Sequence, residues 1–338
     1  MSLSRRSVLV GALAAPAILR GASASAAQTL KISHQFPSSN GDEGDFRDRA
    51  ARRFASELEK RTGGELNAQV FSDSSLMKTV PQFSALRKGA LDLSLYPLSY
   101  AGGEVAETNI GLMPCLVTSY DQGAAWKKAP VGQKLEKLLA DKGVVIVSWV
   151  WQSGGIASRT QAIVNPDDAK GLKIRGGSRE FDMMLAQAGA ATLNIPSNES
   201  YAALQTGACD AVITSSTSLI SFRMEEIAKQ LTSGRGHSIW FMFEPLLMSK
   251  QIFDGLTQKQ RDTIMEIGGE LEAFGRQGAE ADDKRIEEVF GKQGAKISTM
   301  DDAALGKWRK LAEDTAWKDF AARNASCAEF LTLAKAVA

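Results

Sequence analysis

Arg175 is the residue whose surroundings most favour binding chemistry. It ends an apolar stretch and is followed by Gly176-Gly177-Ser178, where a helix is predicted to begin. A planar guanidinium can hold a carboxylate through two parallel hydrogen bonds. The free amides at a helix N-terminus add donors for an anion. Arg175 is therefore a candidate carboxylate ligand, and a surface salt bridge is the alternative that the spacing allows.

Four consecutive hydroxyl side chains form a second candidate. Thr214, Ser215, Ser216 and Thr217 follow a predicted strand and open a predicted helix. Hydroxyls at such a place suit the polar atoms of a ligand. Serine and threonine also cap helix N-termini, so ligand binding and helix capping both remain open.

Motifs for catalysis are missing from the sequence. It contains no G-x-S-x-G, no H-E-x-x-H and no P-loop, and its glycine pairs do not match a dinucleotide fingerprint. His34 and His237 have no second His or Cys at ligand spacing, and three cysteines are too few for most Cys-rich metal sites. We therefore predict no enzyme, no cofactor and no metal site.

The composition is that of a soluble globular protein. Of 338 residues, 44% are hydrophobic and 23% are charged, and the length suggests two lobes. The 40 basic and 39 acidic residues give a net charge of +1. Without a basic excess, nucleic acid and anionic membranes are not expected partners.

Residues 1–26 predict an export signal. Arg5-Arg6 precede an apolar stretch at 8–19, and Ala24-Ser25-Ala26 offers a small-residue cleavage site. The arginine pair resembles a twin-arginine signal, which exports folded proteins. An ordinary secretion signal that happens to contain two arginines is the alternative. Cleavage near Ala26 predicts a periplasmic protein in a cell with two membranes.

Export makes the cysteines relevant, because the periplasm is oxidising. Cys115, Cys209 and Cys327 allow at most one disulfide, and the sequence does not choose the pair. Cys209 lies in an apolar run and is predicted to be buried as a small hydrophobic side chain.

Strand and helix patterns alternate along the chain, which predicts an α/β fold with covered sheets. Strands are predicted at 30–34, 66–70, 91–95, 144–151, 172–175 and 209–213, the fourth as a sheet-centre strand because it is nearly all apolar. Helices are predicted at 45–61, 82–88, 178–188, 198–206 and 219–229, with a long one from Thr257 towards Val289 and a last one around Trp308.

One motif occurs twice. Residues 85–92, ALRKGALD, and 203–210, ALQTGACD, both read A-L-x-x-G-A-x-D between a helix and a strand. Glycine allows the left-handed turn that ends such a helix. The repeat is either chance or the sign of two lobes of similar build, which would place a ligand site in the cleft between them.

Several segments resemble one family. Residues 168–175, DAKGLKIR, resemble the D-x-K-G-L-K-I-R motif of TRAP-transporter solute-binding proteins of the C4-dicarboxylate type. ESYAALQTGACD at 199–210, TGG at 62–64, RKGALD at 87–92 and the Phe36-Pro37 turn match further segments, so the resemblance covers nearly the whole mature chain.

The resemblance implies the fold and the partners. It implies two α/β lobes, 27–152 plus about 240–279 and 153–239 plus about 280–338, joined by hinge strands and crossed by a long helix. It implies a periplasmic receptor that closes on a small organic acid and delivers it to a sodium-driven TRAP membrane permease. We expect the receptor to be a monomer.

The resemblance also implies site residues. Arg175 falls on the family's carboxylate-binding arginine, and Thr214 falls where many members have an asparagine. A second arginine of some members would align near Gly155, and Arg159 is four residues away. Together with Ser215 of the hydroxyl run, the residues predicted to lie at the cleft or at the hinge are Ser178, Ser197, Gln35, Phe36, Tyr96, Tyr100, Trp151 and Trp240. Each tryptophan is a core residue in the alternative interpretation.

The charge count predicts the ligand. One arginine balances one carboxylate, and a second buried carboxylate without a partner would be costly. We therefore expect a monocarboxylate, a 2-oxo or 2-hydroxy acid with an apolar or aromatic tail. The alternatives are a C4-dicarboxylate or sugar acid receptor, or an exported enzyme on a similar fold.

Overall fold

Two β-sheets with helices around them make up the described part of the chain, residues 27–337 of a computed structural model. The predicted signal at 1–26 lies outside these residues. The strands within 27–337, numbered in chain order, are β1 Gln28–Ser33, β2 Leu66–Phe71, β3 Leu93–Leu95, β4 Val144–Ser148, β5 Trp151–Ser158, β6 Lys173–Arg175, β7 Ala191–Thr192, β8 Ala211–Ser215, β9 Gln230–Ser233, β10 Phe241–Phe243, β11 Leu246–Ser249 and β12 Lys296–Thr299.

Each sheet is the centre of one lobe. The first has the order β2-β1-β3-β11-β4, with β1 parallel to β2 and β3, and β11 antiparallel between β3 and β4. The second has the order β12-β9-β5-β8-β6-β7, and β10 pairs with β5. The predicted two-lobed α/β fold is therefore confirmed. The residue bounds of the lobes stay a prediction, because α12 (Ala325–Lys335) contacts α4 (Pro130–Asp141) from the first half of the chain.

The remaining helices cover the sheets. Within the described residues they are α1 Phe46–Thr62, α2 Gln82–Arg87, α3 Tyr120–Trp126, α5 Arg179–Gln187, α6 Ser200–Thr206, α7 Ser216–Ser221, α8 Lys250–Gly255, α9 Gln258–Lys292, α10 Asp302–Ala312 and α11 Lys318–Arg323. Asp45, Ser178 and Asp301 accept hydrogen bonds from backbone amides of the first turns of α1, α5 and α10, which satisfies donors that a helix start leaves free.

Two short segments that link a strand of one sheet directly to a strand of the other form the hinge. Trp149 and Val150 join β4 to β5, and Glu244 and Pro245 join β10 to β11. The amide of Glu244 donates to the carbonyl of Val150 at 2.8 Å, so the two crossings lie side by side. The hinge strands implied by the family resemblance are present.

Helix α9 spans both lobes. Its 35 residues make it about 52 Å long at 1.5 Å per residue. It contacts α1 and β4 in the first lobe and α7, β5 and β12 in the second. Both hydrogen bonds of the predicted capping box, between Thr257 and Gln260, are present at its start.

The aspartate of the repeated motif accepts a hydrogen bond from a neighbouring strand in each lobe. Asp92 accepts from the backbone amide of Lys31 at 2.7 Å, and Asp210 accepts from that of Lys173 at 2.8 Å. Both motif glycines are left-handed, with φ of 68° and 75°. The two copies of the motif therefore form the same local structure, one in each lobe.

Two predicted elements were wrong. The apolar stretch 144–151 is not one sheet-centre strand: β4 lies at the edge of the first sheet, and the chain then crosses to the second. Its residues are apolar because α4, α8 and α9 cover β4. The helix predicted at 219–229 is also wrong. The observed helix, α7, ends at Ser221, because Arg223 adopts a left-handed φ of 59° and the chain then continues to β9.

The cysteines are separate from one another. Cys115, Cys209 and Cys327 are each buried and free, which confirms the predicted burial of Cys209. Burial raises the pKa of Cys209 and of Cys327 to about 11. These thiols therefore stay protonated at neutral pH.

Candidate functional site

Arg175 is fully buried at the end of β6. Its Nε donates to the carbonyl of Ile195 and its Nη1 to the carbonyl of Ile213, both at 3.0 Å. Its Nη2 donates to the hydroxyl of Tyr100 at 2.8 Å. No carboxylate of the described residues lies within 4.0 Å of the guanidinium, so the surface salt bridge proposed as an alternative is wrong.

The hydrogen-bond count of Arg175 leaves donors available. A guanidinium has five N–H groups, and three of them donate to the protein. One N–H remains on Nη1 and one on Nη2. Two terminal N–H groups are the pair that a carboxylate can accept with its two oxygens.

Gly177, two positions after Arg175, lets the backbone pass close to this guanidinium. Gly177 has a φ of 91°, and a Cβ atom there would lie 2.7 Å from Nη1 of Arg175. Ser178 then caps α5 by accepting from the amide of Phe181 at 3.2 Å, while its hydroxyl donates to the carbonyl of Leu112 at 3.3 Å. The hydroxyl of Ser178 is therefore occupied by the protein itself.

Ser215 and Thr214 of the hydroxyl run lie in different surroundings. Ser215 caps α7, accepting from the amide of Ser218 and donating to its Oγ, both at 3.0 Å. Helix capping is thus what Ser215 does. Thr214 is buried at the end of β8, where its backbone faces Gly154 of β5 so closely that a Cβ on that glycine would lie 2.2 Å from the threonine carbonyl.

The two lobes meet at Arg175. The hydroxyl of Tyr100, in the first lobe, also accepts from the amide of Ser197 at 3.0 Å, and Ser99 donates to the carbonyl of Gly177 at 3.3 Å. Next to these contacts lies a cleft of about 390 Å³ whose lining includes Tyr100, Gly177 and Asp182. Burial raises the pKa of Asp182 to about 6, against the lowering effect of Arg175.

The first lobe supplies a second group of predicted residues. The Phe36 ring stacks on His34 and lies 3.7 Å below the guanidinium carbon of Arg47. Gln35 accepts from Thr79 at 3.3 Å, and its Nε2 is buried without a partner among residues 27–337.

Tyr96 is held within the first lobe. Its hydroxyl donates to the carbonyl of Val80 at 3.1 Å, and burial raises its pKa well above the usual value of a phenol. Its ring meets that of Tyr100 edge-on, with centroids 6.2 Å apart. Tyr96 therefore packs against Tyr100 within the first lobe.

A buried ionic cluster at the hinge has no counterpart in the sequence predictions. Arg47 donates to Asp45 from Nη2 at 2.6 Å, to Ser218 from Nη1 at 3.0 Å and to Glu244 at 3.3 Å. Burial raises the pKa of Glu244 to about 7, and Arg47 acts in the opposite direction. The only available sequence signal was that Arg47 adjoins Phe46, the first apolar residue of α1.

The tryptophans lie at different places. Trp151 packs edge-on against Trp126 at 5.0 Å and lines another cavity, of about 200 Å³, so the core interpretation fits it better. Trp240 is buried beside Gly154, where a Cβ would lie 2.6 Å from its ring. Its indole nitrogen is buried without a partner in the described part of the chain.

None of the other basic residues near the motif lies beside Arg175 as a second cation for a ligand. Arg159 lies against Gly207, Lys173 is exposed, and Arg179 forms a salt bridge with Asp319 at the rim of the cleft. At Gly155, a Cβ would lie 2.7 Å from a backbone carbonyl. The position aligned with the family's second arginine thus has no room for a side chain.

Residues 27–337 contain no group of three or more His, Cys, Asp and Glu side chains able to hold a metal ion. Within the same residues, no helix is at once long and apolar enough to span a bilayer.

Known proteins match the chain along most of its length. The family model described as bacterial extracellular solute-binding protein, family 7, matches residues 38–324. A solute-binding protein of Albidiferax ferrireducens is 55% identical over 335 residues, 98% of this chain and 99% of that protein.

Solved structures match as well. A TRAP periplasmic solute-binding protein of Rhodoferax ferrireducens, crystallised with bound malonate, is 57% identical with a TM-score of 0.89, over 90% of this chain and 97% of that one. A TRAP periplasmic solute-binding protein of Sulfitobacter with bound β-D-galacturonate has a TM-score of 0.82 at 21% identity, over 91% of this chain and 99% of that one, and supports the fold.

Proposed function

Since this chain belongs to the bacterial extracellular solute-binding proteins of family 7, the TRAP-transporter receptors, we propose that it binds a short organic acid at Arg175 and delivers it to a TRAP membrane permease. Export past residue 26 and a periplasmic location belong to this proposal, as does a receptor role without catalysis. The expectation of a monomer stays a prediction.

One observation carries the proposal. Arg175 is fully buried where the lobes meet, and it has one N–H on each terminal nitrogen beyond those bonded to the protein. A buried cation without a carboxylate partner is costly, and a ligand carboxylate supplies that partner. Ligand binding and lobe closure are thereby favoured together.

The size of the ligand follows from the aromatic side chains. The ring of Phe36 is covered by Arg47, Tyr96 supports Tyr100, and Trp151 lines another cavity. Of the predicted aromatic residues, Tyr100 remains at the cleft and Trp240 remains beside Thr214. This arrangement favours a short acid over one with an aromatic tail.

Two ligand classes fit a short acid. The charge count favours a monocarboxylate with a 2-oxo or 2-hydroxy group, because Arg47 is already paired with Asp45 and Glu244. A short dicarboxylate is the second candidate, supported by the 57% identical relative with bound malonate. A larger sugar acid would need many convergent hydrogen bonds and is third.

A thermal-shift screen tests the proposal. The protein from residue 27 onward is heated with pyruvate, lactate, malonate, succinate and glucuronate, and hits are titrated by calorimetry. A ligand that binds only the folded state raises the melting temperature by mass action. A shift with pyruvate or lactate supports the first class and a shift with malonate alone the second. No shift with any carboxylate would refute the proposed function.

A further inference from the structure

We infer that Tyr100 couples closure of the lobes to carboxylate binding, by positioning Arg175 and by donating its own hydroxyl proton to the same carboxylate. The inference rests on the proposed function. Tyr100 lies in the short 3-10 helix Leu98–Ala101 that follows β3 of the first lobe, whereas Arg175 ends β6 of the second. Their 2.8 Å hydrogen bond therefore joins the lobes.

The bonds of Arg175 differ in what closure does to them. The carbonyls of Ile195 and Ile213 belong to the same lobe as Arg175, so these two bonds survive when the lobes separate. The bond to Tyr100 forms only on closure. It gives Nη2 an acceptor in place of the water that closure removes, and a buried donor left without one costs about 1–3 kcal/mol.

The Tyr100 oxygen has its acceptor capacity filled. It accepts from Nη2 of Arg175 at 2.8 Å and from the amide of Ser197 at 3.0 Å. A phenol oxygen offers two lone pairs and one O–H, so the O–H remains to donate. The hydroxyl of Tyr100 donates to no atom of the described residues, and a carboxylate held on Arg175 would be the adjacent acceptor.

Neighbouring residues provide matched controls. Ser99 belongs to the same 3-10 helix and donates across the lobes to the carbonyl of Gly177 at 3.3 Å, without contacting Arg175. Tyr201 carries a phenol hydroxyl that bonds to Glu226 at 2.9 Å within the second lobe. Ser99→Ala thus removes a closure contact at the cleft but keeps the bond between Tyr100 and Arg175, whereas Tyr201→Phe removes a phenol hydroxyl that forms no contact between the lobes.

The test is Tyr100→Phe, measured by calorimetry and stopped-flow tryptophan fluorescence with pyruvate and malonate as probes. We expect affinity to fall about tenfold or more, since the hydrogen bonds lost involve charged groups. The loss should appear as faster dissociation with a nearly unchanged association rate. Tyr201→Phe should change affinity by less than about threefold, and Ser99→Ala, which removes one closure contact, should lower affinity clearly less than Tyr100→Phe does.

A double-mutant cycle separates positioning from a general effect on closure. In an Arg175→Lys background, Tyr100→Phe should cost less affinity than in the wild type, because the positioning contribution is already lost and only the direct hydrogen bond to the carboxylate remains to be removed. Equal loss in both backgrounds, unchanged affinity of Tyr100→Phe, or an equal loss in Ser99→Ala would overturn the inference. If the wild-type protein binds neither these probes nor any other carboxylate of the screen, the proposed function fails, and this inference with it.

Discussion

Arg47 of the first lobe donates a hydrogen bond to Ser218 of the second at 3.0 Å, and both side chains are buried. The same guanidinium is bound by Asp45 beside it and by Glu244 at the hinge. One contact between the lobes is therefore made by an ionic cluster whose two carboxylates need this cation.

Arg47→Met should destabilise the protein strongly. It leaves Asp45 and Glu244 buried without their cation, and breaking a buried ion pair in this way costs about 3–5 kcal/mol. Urea denaturation measures the free energy of unfolding. Arg53→Met is the control on the same helix, because Arg53 is exposed and only faces the Phe274 ring at 5.3 Å. Equal losses in both variants would contradict the role given to the cluster.

Glu244 should make stability depend on pH in a defined window. Its pKa is raised by burial from 4.5 to about 7. Between these values the folded state keeps a proton that the unfolded state releases, so its contribution to stability falls as pH rises and is constant above about pH 7.

Glu244→Gln removes this titration. The free energy of unfolding of the variant minus that of the wild type should therefore rise between pH 4.5 and 7, by up to about 3 kcal/mol, and then level off. Urea denaturation at a series of pH values measures the difference. A difference that stays flat across this window would show that Glu244 keeps an ordinary pKa.

Arg175→Ala should abolish tight ligand binding while the lobes still fold. Removing one partner of a buried charge pair costs about 3–5 kcal/mol, or roughly two to three decades or more in Kd. Arg175→Lys should recover only part of the affinity, since lysine lacks the planar fork. Calorimetry with the best acid of the screen measures Kd, and circular dichroism checks folding. Arg159→Ala is the control, because Arg159 is exposed and lies near Gly207. A similar loss in Arg159→Ala, or no loss in Arg175→Ala, would remove Arg175 from the site.

Ligand should make the protein more compact. The lobes are joined by two short crossings, at Trp149-Val150 and Glu244-Pro245, which can act as a hinge. A ligand that contacts both lobes stabilises the closed form. Small-angle X-ray scattering should therefore give a smaller radius of gyration at saturating ligand than without it. Identical scattering curves at saturation would argue against hinge closure.

Much of the fold was predictable because its signals are local. The strands at 30–34, 66–70, 91–95, 172–175 and 209–213 match β1, β2, β3, β6 and β8 within two residues at each end. Alternation of side chains and helix caps depends on residues a few positions apart. The prediction at 144–151 failed because an edge strand covered by helices has the same apolar pattern as a central one.

The sequence by itself determined the start of α9 at Thr257 and Arg175 as the candidate ligand, each through a short motif that needs no distant residue to be recognised. The two-lobed α/β fold followed from the alternation of elements, the chain length and the family resemblance. The matching hydrogen bonds of Asp92 and Asp210 needed the structure.

Only the tertiary structure decided which residues surround Arg175. Tyr100 is 75 positions away in the chain, and Arg47 meets Ser218 and Glu244 across 171 and 197 positions. The tertiary structure also shows that Trp151 lines a different cavity and that the hydroxyl of Ser215 caps a helix. Buried polar and charged groups need partners, and the segments that supply them are brought together by the packing of the lobes.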